Sequence, residues 1–204
     1  MTRIKLCGLT RPCDIEWVNT LLPDYIGFVF ARKSRRYVSP EGAISLRLGL
    51  DSNICTVGVF VNEAPEVVAA LLNDGVIDMA QLHGSEDEEY IRSLRKLTDS
   101  PLIKAFRVDG PADLDRAYQS SADHILLDNG PGGTGTAFDW SVLNGFDRPC
   151  FLAGGLNPEN VGKAVEALRP FAVDVSSGIE TDGVKDYMKM TAFVNAVRNT
   201  NQEG

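Results

Sequence analysis

The chain has 204 residues, of which 44% are hydrophobic, and its formal net charge at pH 7 is −8. This length and apolar content suffice for one substantial core, so residues 1–204 are predicted to form a single domain. The excess of acidic residues disfavours a nucleic-acid or anionic-membrane partner, since either favours a surface rich in Lys and Arg. No apolar stretch approaches the ~20 residues of a membrane span, and the N-terminus lacks a signal-peptide pattern, so a cytoplasmic protein is expected.

Eight short apolar runs recur along the chain, and their starts lie 21 to 29 residues apart. This interval matches one strand, one helix and two tight connections. The runs show too little polar alternation for a solvent-facing antiparallel sheet, so they are predicted to be buried parallel strands. The eight runs cover residues 3–9, 25–31, 54–60, 79–84, 101–108, 124–129, 150–155 and 171–178.

Helical signals fill the segments between these runs. Ser39 and Asn157 are each followed directly by proline, the pattern of an N-cap residue with proline at the first helical position. Residues 65–72 carry an early proline and glutamate and then an apolar stripe, which is typical of an amphipathic helix. Residues 85–95 have acidic side chains first and basic ones later, which complements the helix dipole.

The regular alternation of strand and helix predicts the fold class. Eight strand–helix units without a long linker favour an α/β fold, a single-domain (β/α)8 TIM barrel, over an open doubly wound sheet, for which about six units suffice. The fifth and sixth helices are the weakest, because Gly110, Pro111 and the glycine-rich residues 130–135 shorten the helical pattern. Functional groups of such barrels come from the C-terminal ends of the strands. Those ends carry Cys7, Arg35, Arg36, Asn62, His83, Arg107, Asp128, Gly154, Gly155, Ser176, Ser177 and Gly178.

Two small-residue turns predict a phosphate site. Gly154 and Gly155 follow the seventh run, and Ser176, Ser177 and Gly178 follow the eighth. Barrels commonly hold phosphate after these strands, where backbone N–H groups and Ser hydroxyls bind a dianion without net positive charge on the protein. The plain alternative for either segment is a turn or C-cap glycine, but the pair at adjacent strand ends favours phosphate.

Two longer loops carry patterns typical of ligand binding. Four cations lie in the loop after the second strand, at positions 32, 33, 35 and 36. Arginine pairs bidentately with carboxylates, so one of them is predicted to hold a substrate carboxylate, the alternative being a solvated basic loop. The glycine-rich loop 130–136 is too long for a tight connection, which favours a lid.

Two strand ends carry groups suited to proton transfer. Asp128 follows an apolar run, so partial desolvation is expected to raise its pKa, as a general acid requires. Cys7 offers the complementary base or nucleophile, with Gly8 beside it and local positive charge expected to favour the thiolate. The alternatives are a turn-capping aspartate and a core cysteine.

The chain offers little for a metal centre. It contains two histidines and four cysteines, and none of the cysteines forms a C-x-x-C pair. His83 stands at a strand end, where it is predicted either to contact a ligand or to make a structural hydrogen bond. His124 begins a strand, and is therefore expected at the opposite end of the barrel. No metal site is predicted.

Many ordered segments together resemble the phosphoribosylanthranilate isomerase family, and the resemblance covers nearly the whole chain. It rests on the sequences at residues 5–10, 27–30, 34–40, 57–62, 81–84, 127–128, 132–135 with 138–140, 154–161 and 173–180. The resemblance implies a (β/α)8 enzyme that performs an Amadori rearrangement in tryptophan biosynthesis, without metal or organic cofactor. Its partner is a small phosphosugar bearing an anthranilate carboxylate, and the protein is expected to be a monomer or homodimer.

The resemblance also implies a role for each site residue. Asp128 matches the general acid that protonates the ribose ring oxygen, and Cys7 the general base that removes the proton from C2. Arg36 matches the residue that holds the anthranilate carboxylate. The other substrate-binding residues are His83, Gly154, Gly155, Asp174, Ser176, Ser177 and Gly178.

Three other functions are alternatives, and the sequence argues against the first two. A metal-dependent pentulose-phosphate epimerase requires a cluster of His and carboxylate ligands, which one well-placed histidine does not supply. An isomerase with two catalytic aspartates would carry a carboxylate where Cys7 stands. A phosphosugar-binding or scaffold protein on the same fold is not excluded by the fold, although it would not need both Cys7 and Asp128.

Overall fold

A computed structural model describes residues 1–128, 140–143 and 145–203. Its eight parallel strands close into a barrel in chain order, which confirms the predicted (β/α)8 fold. Each strand lies within its predicted apolar run. The strands are β1 (Arg3–Cys7), β2 (Tyr25–Val29), β3 (Cys55–Phe60), β4 (Met79–Leu82), β5 (Leu102–Arg107), β6 (His124–Asp128), β7 (Cys150–Leu152) and β8 (Ala172–Val175).

Seven α-helices lie in the described part of the chain. They are α1 (Pro12–Leu21), α2 (Pro40–Arg47), α3 (Pro65–Asn73), α4 (Glu88–Arg95), α5 (Pro111–Gln119), α6 (Val161–Leu168) and α7 (Tyr187–Glu203). Between β6 and β7 the described residues contain one 3-10 turn, Trp140–Leu143. The predicted lid, residues 130–136, lies outside the described residues.

Side chains alternate between the two faces of the barrel wall. On the inner face, Tyr25, Val57, Met79, Ile103 and Phe151 fill the barrel interior in one apolar cluster. The intervening residues face outward and join a larger cluster with the helices. The interior is therefore solid toward the N-terminal ends of the strands, and open space is left toward their C-terminal ends.

The two predicted N-cap residues both accept backbone N–H groups. Ser39 caps α2 as predicted, since its Oγ accepts the Gly42 N–H at 3.1 Å. Asn157 also caps as predicted, since its Oδ1 accepts the Glu159 and Asn160 N–H groups at 2.9 and 3.0 Å. The predicted helix start at Pro158 is wrong, however, because residues 158–160 form a turn and α6 begins at Val161.

Two other helix predictions need correction. The fifth helix is not shortened, since α5 spans nine residues and Pro111 is its first residue. Gly110 and Pro111 therefore mark where it begins, as proline commonly does. The fourth helix starts at Glu88 rather than at 85, because Asp87 Oδ1 accepts the Tyr90 N–H at 2.9 Å and so caps α4.

A small hairpin follows β8 and a 3-10 turn, Ser177–Ile179. Strand β9 (Glu180–Thr181) pairs antiparallel with β10 (Val184–Lys185). The two turn residues, Asp182 and Gly183, have positive φ angles of 53° and 83°. This is the pattern of a type I′ turn, whose twist matches paired strands, and it places Glu180 directly opposite Lys185.

No helix in the described part of the chain combines the length and the apolar character that a membrane crossing requires.

Candidate functional site

A cavity of about 280 Å³ opens at the C-terminal ends of the strands. Every predicted site residue except Gly178 lines it. A larger cavity of about 790 Å³ lies at the opposite end of the barrel, beside Arg3 and Phe171. His124 is at that opposite end too, stacked on Phe171 with ring centroids 5.2 Å apart, as the sequence predicts. Because the candidate acid and base both line the smaller cavity, the chemistry is assigned there.

Cys7 lies above a buried ion pair. Lys5 and Cys7 are two residues apart on β1 and therefore share its inner face. Lys5 Nζ donates to Asp174 Oδ1 on the neighbouring strand β8 at 3.0 Å, and both side chains are buried. Gly27, opposite Cys7 on β2, leaves room for the thiol, since a Cβ there would lie 2.6 Å from Sγ.

The ionisation of these groups differs from the sequence expectation. Burial raises the pKa of the Cys7 thiol above its ordinary 9.0, and this outweighs the lowering by the Lys5 and Lys185 charges. Burial also lowers the pKa of Lys5, but the charges of Asp174 and Cys7 outweigh it, so the net shift is upward and Lys5 stays protonated. The predicted positive charge beside Cys7 is therefore present, but burial outweighs it, so the expected net stabilisation of the thiolate is not found.

Asp128 has a histidine beside it. His83 Nε2 lies 3.4 Å from Asp128 Oδ2, and its other ring nitrogen, Nδ1, lies 2.8 Å from the side-chain nitrogen of Gln81. If this amide donates to Nδ1, the imidazole proton sits on Nε2 and points toward Asp128. Among the described residues, Asp128 Oδ1 is buried and has no hydrogen-bond partner. This oxygen is therefore available to a ligand.

The two small-residue turns pack against each other. Gly154 and Gly155 have positive φ angles of 90° and 64°, which few other residues adopt readily. A Cβ on Gly178 would lie 2.0 Å from the carbonyl oxygen of Leu156, so only glycine fits at this contact. Gly178 thus holds the Ser176 turn against the Gly154 turn and does not itself line the cavity.

Arg36 is the one cation of the predicted basic loop that lines the cavity. Its Nε and Nη2 donate to the two carboxylate oxygens of Glu180 at 2.6 and 2.7 Å. Glu180 also accepts from Lys185 Nζ at 2.5 Å. Gly8, with a φ of 82°, makes room for the arginine, since a Cβ there would lie 2.5 Å from Arg36 Cδ.

Two other strand-end residues do not join the cavity. Asn62 Oδ1 accepts the Ser85 N–H at 2.8 Å and so links two neighbouring loops. Arg107 Nε pairs with Asp109 at 3.0 Å in an exposed position. Both residues therefore have structural roles in the loops.

Sequence reasoning gave no role to four polar residues of the site, namely Lys5, Gln81, Glu180 and Lys185. A signal was present for the first two, since each is a polar residue in an apolar strand, two positions before a predicted site residue on the same face. No such signal marks the other two, because a hairpin brings them into place. No group of three or more potential metal-ligating side chains clusters anywhere in the described ranges.

The closed barrel, with a polar cavity at the C-terminal ends of its strands, has the architecture of (β/α)8 enzymes. The family model of N-(5'phosphoribosyl)anthranilate (PRA) isomerase matches residues 4–196. The chain belongs to this family, and it is therefore an isomerase of tryptophan biosynthesis.

Individual relatives support this assignment. An N-(5'-phosphoribosyl)anthranilate isomerase from Thermoanaerobacter sp. (strain X514) is 44% identical over 204 residues, which cover 97% of this chain and 98% of the relative. The crystal structure of the phosphoribosyl anthranilate isomerase from Thermotoga maritima is 39% identical with a TM-score of 0.90, covering 98% of this chain and 100% of that chain. A similar structure in complex with reduced 1-(o-carboxyphenylamino)-1-deoxyribulose 5-phosphate is 38% identical, with a TM-score of 0.87 and coverages of 98% and 100%.

Substitution of Gly178 tests the contact between the two turns. Gly178→Ala is expected to lower the free energy of unfolding by about 1–3 kcal/mol, because its Cβ cannot be accommodated without a backbone shift. The same shift is expected to weaken inorganic phosphate binding. Gly110→Ala is the control, since no atom lies within 4 Å of a Cβ there. Chemical denaturation and phosphate titration measure both effects, and equal behaviour of the two variants would refute the contact's importance.

The raised pKa of Cys7 predicts the pH dependence of its reactivity. In ligand-free protein, the rate of Cys7 alkylation by iodoacetamide is expected to keep rising as the pH passes 9.0, because the thiol is still protonated there. Mass spectrometry of the Cys7 peptide follows the reaction, and urea-unfolded protein provides the reference. A plateau below pH 9.0 would contradict the raised pKa.

Proposed function

We propose that this chain converts N-(5'-phosphoribosyl)anthranilate to 1-(2-carboxyphenylamino)-1-deoxyribulose 5-phosphate, an Amadori rearrangement. The observation that carries the proposal is that a thiol and a carboxyl line one cavity together with groups for two anions. Cys7 ends β1 and Asp128 ends β6, three strands away around the ring. A sugar seated between them is reached by an acid and a base at once.

The substrate's two anions fix its orientation in this proposal. The phosphate binds the turns of Gly154 and Ser176, where backbone N–H groups and hydroxyls serve as donors. The anthranilate carboxylate binds Arg36, whose planar guanidinium suits a carboxylate. Holding both ends places the ribose between Cys7 and Asp128, so binding energy supplies the orientation that the reaction requires.

Proton transfer then proceeds in two stages. Asp128 gives its proton to the ribose ring oxygen as the bond from that oxygen to C1 breaks, which leaves a protonated Schiff base. The Cys7 thiolate takes the proton from C2, and the electron pair of that bond moves toward the nitrogen to form an enolamine. In the tautomerisation C1 takes up the proton held by Cys7, and the C2 hydroxyl gives its proton back to Asp128 as it becomes the ketone, so both groups return to their starting states. Reactant and product are isomers, so the sequence consumes no oxidant or reductant.

The site's electrostatics support these assignments. The raised pKa of Cys7 leaves only a minor share of thiolate at neutral pH, but it makes that thiolate a stronger base, and the Lys5 and Lys185 charges stabilise it once formed. His83 lies against Oδ2 of Asp128 and leaves Oδ1 for the sugar. Asp174 carries the counter-charge of Lys5 at the cavity floor, which supports a role in setting the thiol's surroundings as well as the predicted substrate contact.

An assay of purified protein with fresh N-(5'-phosphoribosyl)anthranilate and EDTA tests the function. Loss of anthranilate-type fluorescence should be faster than in the blank. Cys7→Ala and Asp128→Ala should each lower kcat by about 10²- to 10⁴-fold, because each removes a proton-transfer group. Cys13→Ala and Asp109→Ala are matched controls outside the cavity. Absence of any acceleration by the wild type would reject the function, and near-normal turnover in either site variant would reject its assigned role.

Substitution of Arg36 tests the carboxylate site. Arg36→Ala is expected to raise the dissociation constant of the reduced product analogue about 10- to 100-fold, the loss expected for charge-assisted hydrogen bonds. Inorganic phosphate affinity should change little. Arg35→Ala is the matched control, since this neighbouring arginine does not line the cavity. Isothermal titration calorimetry gives both constants, and an unaltered affinity for the analogue would place the carboxylate elsewhere.

A further inference from the structure

Arg36 presents only one of its two edges to Glu180. The Nε and Nη2 edge is occupied by the carboxylate of Glu180. A guanidinium has a second fork, formed by Nη1 and the remaining N–H of Nη2. In the part of the chain that the structure describes, no hydrogen bond uses Nη1, and Arg36 lines the cavity. One arginine can therefore hold Glu180 and a second carboxylate together.

We propose that Glu180 is a positioning residue for substrate recognition. It holds the Nε and Nη2 edge of Arg36, so that the edge formed by Nη1 and Nη2 faces the substrate's carboxylate. This inference rests on the proposed function, in which Arg36 binds that carboxylate. Glu180 stays in place when the substrate binds. Its contribution is to fix the guanidinium, whose free side chain would lose considerable rotamer entropy on binding.

Hydrogen bonds to neighbouring helices fix the position of the hairpin that carries Glu180. The Glu180 carbonyl oxygen accepts from Lys189 Nζ at 2.7 Å, and the Lys185 carbonyl oxygen accepts from Arg11 Nη2 at 2.7 Å. These two bonds tie the hairpin to α7 and to the start of α1. The side chain of Glu180 is only 8% exposed. It therefore lies buried behind Arg36, which itself lines the cavity.

The charges around Glu180 also favour a second anion. Glu180 lies between two cations, since both Arg36 and Lys185 donate to it. Although burial raises its pKa, these two partners outweigh that and hold the pKa of Glu180 below its ordinary 4.5. Burial lowers the pKa of Lys185, and its contact with Glu180 opposes that shift. With both cations protonated, the cluster carries two positive charges and one negative charge. A substrate carboxylate completes its neutralisation without displacing Glu180.

A competing role for Glu180 predicts the opposite change in carboxylate affinity when Glu180 is removed. If Glu180 instead occupied the binding position of the substrate carboxylate, it would compete with the substrate. Its removal would then strengthen carboxylate binding. A positioning role requires that its removal weaken carboxylate binding, because Arg36 would move freely and face the repulsion of Lys185. The direction of the change therefore decides between the two.

The test compares two ligands that differ only in the carboxylate. One is the reduced product analogue, and the other is the same compound with a phenyl group in place of the carboxyphenyl group. The dissociation constant of the phenyl compound divided by that of the carboxyphenyl compound reports the carboxylate's contribution to binding. Any change in phosphate binding affects both constants equally and cancels in this ratio. Glu180→Ala is expected to reduce this ratio by about tenfold, as expected for loss of an ordered charge-assisted contact. Glu180→Gln should also reduce it, by less, since it keeps one acceptor.

Controls separate positioning from folding. Asp78→Asn weakens another bidentate arginine–carboxylate pair, with Arg47, outside the cavity, so it should lower the melting temperature without changing the ratio. In the Arg36→Ala background, Glu180→Ala should cause no further loss. An increased or unchanged ratio in Glu180→Ala, with the melting temperature showing a folded protein, would overturn the positioning role. A wild-type ratio near one, or one that survives Arg36→Ala, would instead refute the carboxylate site of the proposed function.

Discussion

A buried ion pair between Lys5 and Asp174 connects the first and last strands of the barrel, where the ring closes. The two residues are partners in the β1–β8 register, and both are shielded from water. Removing either partner alone would leave an uncompensated buried charge, at a cost of about 3–5 kcal/mol. The same pair forms the floor below Cys7. Barrel closure and the electrostatic surroundings of the thiol therefore depend on one interaction.

The proposed site explains how an acidic protein could bind a substrate that carries two anions. Its cations are paired with carboxylates: Lys5 pairs with Asp174, while Arg36 and Lys185 share Glu180. Paired cations can be buried at positions where isolated ones would be too costly. The proposed phosphate site relies on backbone groups and hydroxyls, which carry no net charge. Local recognition of anions thus does not require a basic surface.

The sequence predicted the framework of the site well because that framework is local. Apolar runs located every strand, and strand ends located Cys7, His83, Asp128 and the glycine turns. The start of α6 was misplaced because Asn157 caps a single turn, residues 158–160, and the regular helix begins only after it, at Val161. The thiol's pKa was misjudged because burial depends on how strands from distant parts of the chain pack around it. Glu180 could not be assigned, because its partner Arg36 is 144 residues away in the chain.

The filled interior of the barrel affects how solvent reaches the site. Tyr25, Met79 and Phe151 fill the barrel interior below the cavity, so among the described residues the open side of Cys7 faces the mouth of the barrel. In the proposed function the substrate occupies this mouth. A bound sugar then covers the route by which the Cys7 hydrogen exchanges with bulk water, and isotope exchange at the thiol depends on the arrival and departure of the ligand.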